Sequence, residues 1–105
     1  MSATLFRGLH PQLIPYAAYL YEAAATAGLR PRVTSVFRTA QRQAWLYDQY
    51  RRGLSRLPAL PPGRSKHQFG LAFDMVTDNP AAVGDLWNRM GGRWAGPKDP
   101  VHFEV

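Results

Sequence analysis

The sequence predicts an α+β fold, a small antiparallel sheet flanked by about three helices. Three observations predict it. Apolar residues recur at helical spacing in three segments, short β-branched or apolar runs lie between them, and glycine or proline punctuates the junctions. A chain of 105 residues predicts one domain over 1–105, because so little chain cannot bury two hydrophobic cores. Its 46% hydrophobic residues suffice for one core, which excludes wholesale disorder.

The elements follow in order. Leu13, Ala17, Leu20, Ala24 and Ala27 predict a helix over about 12–27, stopped by Gly28. Tyr16, Tyr19 and Tyr21 crowd that helix as packing residues, with one of them exposed. Residues 32–37 are short and β-branched and read as a strand. Thr39 caps a second helix to about Arg52, with Gln43, Leu46, Tyr47 and Tyr50 along one face and Gly53 ending it. Residues 54–66 hold three prolines and a Pro62-Gly63 pair, an unusually long loop for a domain of this size, and long loops are more often functional than idle. Residues 70–76 predict a strand with Ala72, Asp74 and Val76 on one face and Leu71, Phe73 and Met75 on the other. Asn79-Pro80 opens a third helix, which buries Val83, Leu86, Trp87 and Met90 and stops at Gly91-Gly92. Short strands near Arg93-Trp94 and over 102–105 complete the chain. Trp87, Trp94 and Phe69 read as core or cleft wall.

Chemistry is restricted by composition. There is no cysteine, hence no disulfide, no thiolate nucleophile and no cysteine-ligated metal. A metal must sit on histidine and carboxylate, and only His10, His67 and His102 are available. Asp74 lies inside an apolar strand, where a carboxylate must be paired, hydrogen-bonded or metal-bound unless it faces water at a sheet edge. His67 stands seven residues earlier, and Gly70 between them permits a turn or bulge that brings the two together. His102 lies in another short strand. Two histidines and one carboxylate leave a tetrahedral position open, the ligand count of a catalytic zinc site, with Asp99 then available as general base. His10 sits beside Pro11 and is left off the site.

Ser65-Lys66-His67-Gln68-Phe69-Gly70-Leu71-Ala72-Phe73-Asp74 resembles the SxHxxGxAxD signature of the zinc D-alanyl-D-alanine peptidase/hedgehog-fold family. Asp99-Pro100-Val101-His102 is similar to its (D/E)xxH element, and Arg38-Thr39, Gln43 and Leu46-Tyr47 to its upstream block. The resemblance runs in order from about Leu13 to Glu104. It implies a zinc metallopeptidase acting on peptidoglycan, with His67, Asp74 and His102 binding zinc, Asp99 as catalytic base and Arg38 facing the developing oxyanion. Asp at position 99, with the ending Trp94 to Glu104, resembles the phage-endolysin L-alanyl-D-glutamate peptidase branch. Relatives that trim D-Ala-D-Ala termini usually carry Glu there, so a D,D- or L,D-carboxypeptidase is the alternative, and a non-catalytic wall-binding module a more distant one.

The other roles stay open at this point. Arg38 either serves the oxyanion or pairs with Asp48 or Glu104. Ser65 either binds a substrate carboxylate, orients a ligand or caps a loop. Gln43 either orients substrate or pins the Arg38 loop. Glu104 shares strand parity with His102 and either supports a ligand or Arg38, or faces solvent.

The formal charge of +6 fits a solvated basic surface, nucleic acid or an anionic cell wall. The cations are scattered and no nucleic-acid motif accompanies them, which argues against nucleic acid. Met1 to Leu20 lacks the unbroken apolar run of a signal peptide, and no window reaches the roughly 20 apolar residues of a membrane span. The expectation is a monomer, made in the cytoplasm and acting on the cell wall in the manner of a phage, prophage or tail-delivered lysin.

Overall fold

The computed structural model describes residues 2–56 and 58–105, so the expected loop over 54–66 is described except at Leu57. Among the described residues, three α-helices, α1 (Ile14–Thr26), α2 (Ala40–Arg51) and α3 (Pro80–Arg89), accompany four strands, β1 (Arg32–Ser35), β2 (Ala72–Val76), β3 (Arg93–Trp94) and β4 (His102–Glu104). The strands form one antiparallel sheet in the order β1-β2-β4-β3. This is the α+β architecture that the sequence predicts.

The caps are those that the residue types dictate. Thr39 Oγ1 accepts from Arg42 N at 3.0 Å to open α2, and Asn79 Oδ1 accepts from Ala82 N at 3.1 Å to open α3. α1 buries Ala17, Leu20 and Ala24. Tyr16 and Tyr19 are both exposed, not one of the three tyrosines as expected, while Tyr21 packs edge-on to Phe6. Their positions lie off the Ala17-Leu20-Ala24 stripe, which leaves them no core to enter.

The core is an aromatic stack. Phe73 of β2 lies parallel to Phe103 of β4 with ring centroids 5.3 Å apart, and meets Phe6 and Trp87 edge-on. Such pairs contribute about 0.5–1.5 kcal/mol beyond their area burial. Phe6 arrives from a 3-10 helix at Ser2–Phe6 that the sequence reading did not anticipate, and Leu9 is buried beside it. α3 fits closely because Gly84 has no side chain: a Cβ there would lie 2.1 Å from the Trp94 ring. Trp94 is half-buried and donates its ring N–H to Pro100 O. Phe69, expected in the core or cleft wall, is 57% exposed.

Three strands start or stop short of the expected bounds, β4 by one residue at Glu104, and the departures of β1 and β2 serve the cleft. β1 ends at Ser35 because its register slips between Val33 and Ser35, freeing the Val36 carbonyl from the ladder. β2 begins at Ala72 because a second 3-10 helix, Lys66–Phe69, precedes it and closes on Gly70 at φ +68°. A Cβ on Gly70 would also lie 2.9 Å from both Gly8 O and His10 N. Glycine is therefore required twice over, by the left-handed turn and by the backbone packed against it.

Candidate active site

The site grows out of one cross-strand pair. Asp74 and His102 are direct partners of β2 and β4, and their neighbours Phe73 and Phe103 form the next pair. Strand alternation sends the phenylalanines into the core and the polar pair to the opposite face. His67 reaches the same place from the second 3-10 helix, where Ser65 Oγ accepts from His67 N at 3.3 Å. The tight turn at Gly70 reverses the chain between His67 and Asp74, which brings the two side chains onto one face.

Three donor atoms converge there. Asp74 Oδ1 lies 3.2 Å from His67 Nε2 and 3.3 Å from His102 Nδ1, and one ligand atom from each residue lies within 4.8 Å of the others. His67 is 2% exposed and its Nδ1 lies 2.8 Å from Val36 O. A carbonyl only accepts, so that contact places the ring proton on Nδ1 and leaves the Nε2 lone pair directed at Asp74. His102 Nε2 lies 2.8 Å from Glu104 Oε1, which likewise places a proton on the far side of that ring. With both rings neutral, three acceptors face one another with no proton between them. A divalent cation resolves that conflict, and the donor set of two imidazoles and one carboxylate fits zinc.

Charge around the cluster follows the same geometry. Without a metal, a proton on the ring nitrogens that face Asp74 relieves the same conflict: burial opposes ionisation of Asp74, but hydrogen bonds and charge from His102 and His67 in that protonated form outweigh it and hold the carboxyl well below the ordinary range. Burial lowers the affinity of His102 for a second proton, yet Asp74 and Glu104 together raise its pKa. Glu104 is disfavoured as an anion by burial but lowered overall by Lys66 and His102. Lys66 Nζ lies 3.0 Å from Glu104 Oε2 and also donates to the Val105 carbonyl. Lys66 is a contact that sequence reasoning missed. It sits inside the recognised run, but β4 lies beside it only after the sheet forms.

Of the other expected residues, Arg38, Gln43, Ser65 and Asp99 line one cleft of about 620 Å³, and Glu104 does not border it. The size lies within the range of small-ligand sites. Arg38 pairs with Asp74 Oδ2 at 3.2 Å, not with Asp48 or Glu104, and donates to Gln43 Oε1 at 3.2 Å. Ser65 caps the 3-10 helix and borders the cleft as well. Glu104 contacts His102 rather than facing open solvent. Asp99 is exposed on the rim, in the turn before β4, and is not among the three converging donors. Tyr50, Pro58, Leu60 and Lys98 also border the cleft and were not singled out as site residues. His10 lies outside the donor cluster, exposed, with Nδ1 accepting from Gln12 N.

Comparison with known proteins bears on this cleft. The family described as VanY, D-alanyl-D-alanine carboxypeptidase, matches residues 7–93. No curated protein matches the chain by sequence. Among solved structures, a variant of the vancomycin-resistance D,D-pentapeptidase VanY in complex with Zn(II) superposes with a TM-score of 0.75 at 23% identity, covering 92% of this chain and 72% of that one. The LD-carboxypeptidase LdcB gives 0.73 at 20% identity, covering 92% and 58%. The L-Ala D-Glu endopeptidase ChiX of Serratia marcescens gives 0.64 at 24% identity, covering 99% and 85%. Among the described residues, no helix is long and apolar enough to cross a membrane.

Proposed function

The chain belongs to the VanY family of D-alanyl-D-alanine carboxypeptidases, and from that premise we propose that it is a zinc peptidase hydrolysing an amide bond in peptidoglycan stem peptides. The observation that carries the reading is the convergence of His67 Nε2, Asp74 Oδ1 and His102 Nδ1 on one face of an open cleft, with the exposed Asp99 carboxylate on its rim.

His67, Asp74 and His102 hold the metal in this reading. Zinc supplies Lewis acidity toward the scissile carbonyl and makes water a nucleophile near neutral pH. Asp99 on the rim takes the proton of the attacking water and returns it to the leaving amine. Arg38 stabilises the charge that develops on the carbonyl oxygen. Its contacts with Asp74 and Gln43 hold the guanidinium at the cleft wall, where its other N–H groups would meet substrate. Ser65 accepts from His67 N through a lone pair, which leaves its hydroxyl proton to donate to a substrate carboxylate. Glu104 holds the His102 ring in its metal-binding tautomer.

For the bond cut, Asp rather than Glu at position 99 favours the L-alanyl-D-glutamate linkage, in the manner of an endolysin. The family match favours the second reading, a D,D- or L,D-carboxypeptidase trimming D-Ala. One experiment separates them. Purified muropeptides are incubated with zinc-loaded protein, with and without chelator, and the products weighed by mass spectrometry. Release of the stem from L-alanine supports the endopeptidase; loss of a terminal alanine supports the carboxypeptidase. Absence of any zinc-dependent product overturns both and leaves a wall-binding module.

A further inference from the structure

Half of α2 is apolar or aromatic, yet the one residue it buries is an amide: Gln43 is 1% exposed. Both ends of that amide are engaged. Oε1 accepts from Arg38 Nη1 at 3.2 Å, and Nε2 donates to the Leu60 carbonyl at 2.6 Å. Leu60 belongs with Pro58 and Ala59 to the cleft wall formed by the proline-rich loop. The amide has only one acceptable orientation. Flipped, it would set NH₂ against a guanidinium and oxygen against a carbonyl, two unsatisfied contacts in a place closed to water. Arg38 and the wall therefore share a single buried connector, and displacement of either leaves part of it without a partner.

We propose that Gln43 is a positioning residue that couples the cleft wall at Pro58–Leu60 to the Arg38 guanidinium, so that contacts a stem peptide makes with that wall are realised in kcat rather than in KM. The inference rests on the stem-peptide reading above. A peptide long enough to pack against Pro58 and Leu60 holds the wall in, the wall holds the Gln43 amide, and the amide holds Arg38 where charge develops. Remote binding is thereby converted into stabilisation of the transition state alone. The loop, for which the sequence offers no recognisable pattern, becomes a selectivity element.

The test has three arms. In the first, the wild-type zinc enzyme is assayed on stem peptides of increasing length; kcat is expected to rise about ten-fold from the shortest cleaved peptide to the longest, with KM changing less. In the second, Gln43→Glu keeps an acceptor for Arg38 but has no donor for the Leu60 carbonyl, and Gln43→Met severs both contacts at similar volume. Gln43→Glu is expected to flatten the dependence of kcat on length, and Gln43→Met to lower kcat for every peptide and flatten it as well. In the third, hydrogen exchange is followed in zinc-free protein at the amides of Ala59, Leu60, Gly63 and Arg64, which are expected to exchange faster in both variants. Wild-type exchange rates in Gln43→Glu, or a length effect confined to KM in the wild type, overturns the proposal. If Gln43→Glu fails to fold, the wild-type length series and Gln43→Met still decide it. Failure of the stem-peptide reading looks different: the wild type cleaves no peptide of any length, and exchange alone then decides the coupling.

Discussion

Glu104 Oε1 lies 2.8 Å from His102 Nε2, on the edge of the ring opposite the one that faces Asp74. The second Glu104 oxygen is held by Lys66 Nζ at 3.0 Å, so the carboxylate is fixed from two sides. A carboxylate so placed orients an imidazole and raises its basicity as a ligand. Glu104→Gln is expected to weaken zinc binding by about 10–100-fold while the fold persists. Competition against a chromophoric chelator, with circular dichroism as the control, reads both. Unchanged affinity would make Glu104 a partner of Lys66 alone.

Asp99 is exposed on the cleft rim and separate from the three converging donors, so its removal leaves the metal cluster intact. Asp99→Ala is expected to retain one zinc per chain and to lower kcat by about 10²–10⁴-fold, the usual contribution of a general acid–base group. Metal analysis and steady-state kinetics on the same preparation check it. Full activity would move the base elsewhere.

The zinc-free protein has a predictable pH window. The folded-state pKa of Asp74 is lowered, so its stabilisation is present above its unfolded value near 3.9 and is lost as pH falls through the folded value. The folded-state pKa of His102 is raised, so its stabilisation is full below its unfolded value near 6.5 and is lost as pH rises through the folded value. Both are present together between about pH 4 and 6.5, where urea denaturation in chelator is expected to show the greatest stability. Zinc must displace the His102 proton, so its affinity is expected to rise with pH until the raised folded-state value of His102 is passed. Stability that fails to fall as pH drops below about 4 and as it rises above about 6.5 would count against the pairing.

Gly70 and Gly28 both adopt left-handed backbone, but their surroundings differ. A Cβ on Gly70 meets the backbone of Gly8 and His10 at 2.9 Å, whereas nothing lies within 4 Å of one on Gly28. Gly28→Ala is expected to cost about 1 kcal/mol from backbone strain, and Gly70→Ala about 2–3 kcal/mol, because the N-terminal segment must also shift. Chemical denaturation of the two variants measures the difference. Equal losses would show that the Gly8–His10 backbone yields freely.

What the sequence revealed depended on where the signal lay. The three helices were legible from apolar spacing and from Thr39, Asn79 and Pro80 at their starts. Asp74 was legible because a carboxylate in an apolar strand is costly to bury alone, and its meeting with His102 because both occupy short strands. Phe6 and Leu9 were not, since a single 3-10 turn has no periodicity to detect. The Val36 carbonyl that orients His67 was hidden for another reason: it is backbone, and no side-chain identity marks it. Lys66 and Leu60 reach the site only through long-range packing, which local pattern does not encode. Arg38 shows the limit from the other side. Its charge marks it for either the oxyanion or a pair with Asp48 or Glu104, and the carboxylate it contacts is Asp74.

β4 lies between β2 and β3 although it follows both in the chain. A fragment ending before residue 102 contains His67 and Asp74 but lacks the third nitrogen, however well its other strands pair. The donor cluster is thus completed by the C-terminal strand, through its pairing with β2, and not by a local loop. Occupation of all three donors therefore reports a closed sheet: the metal site and the β2–β4 pairing stand or fall together.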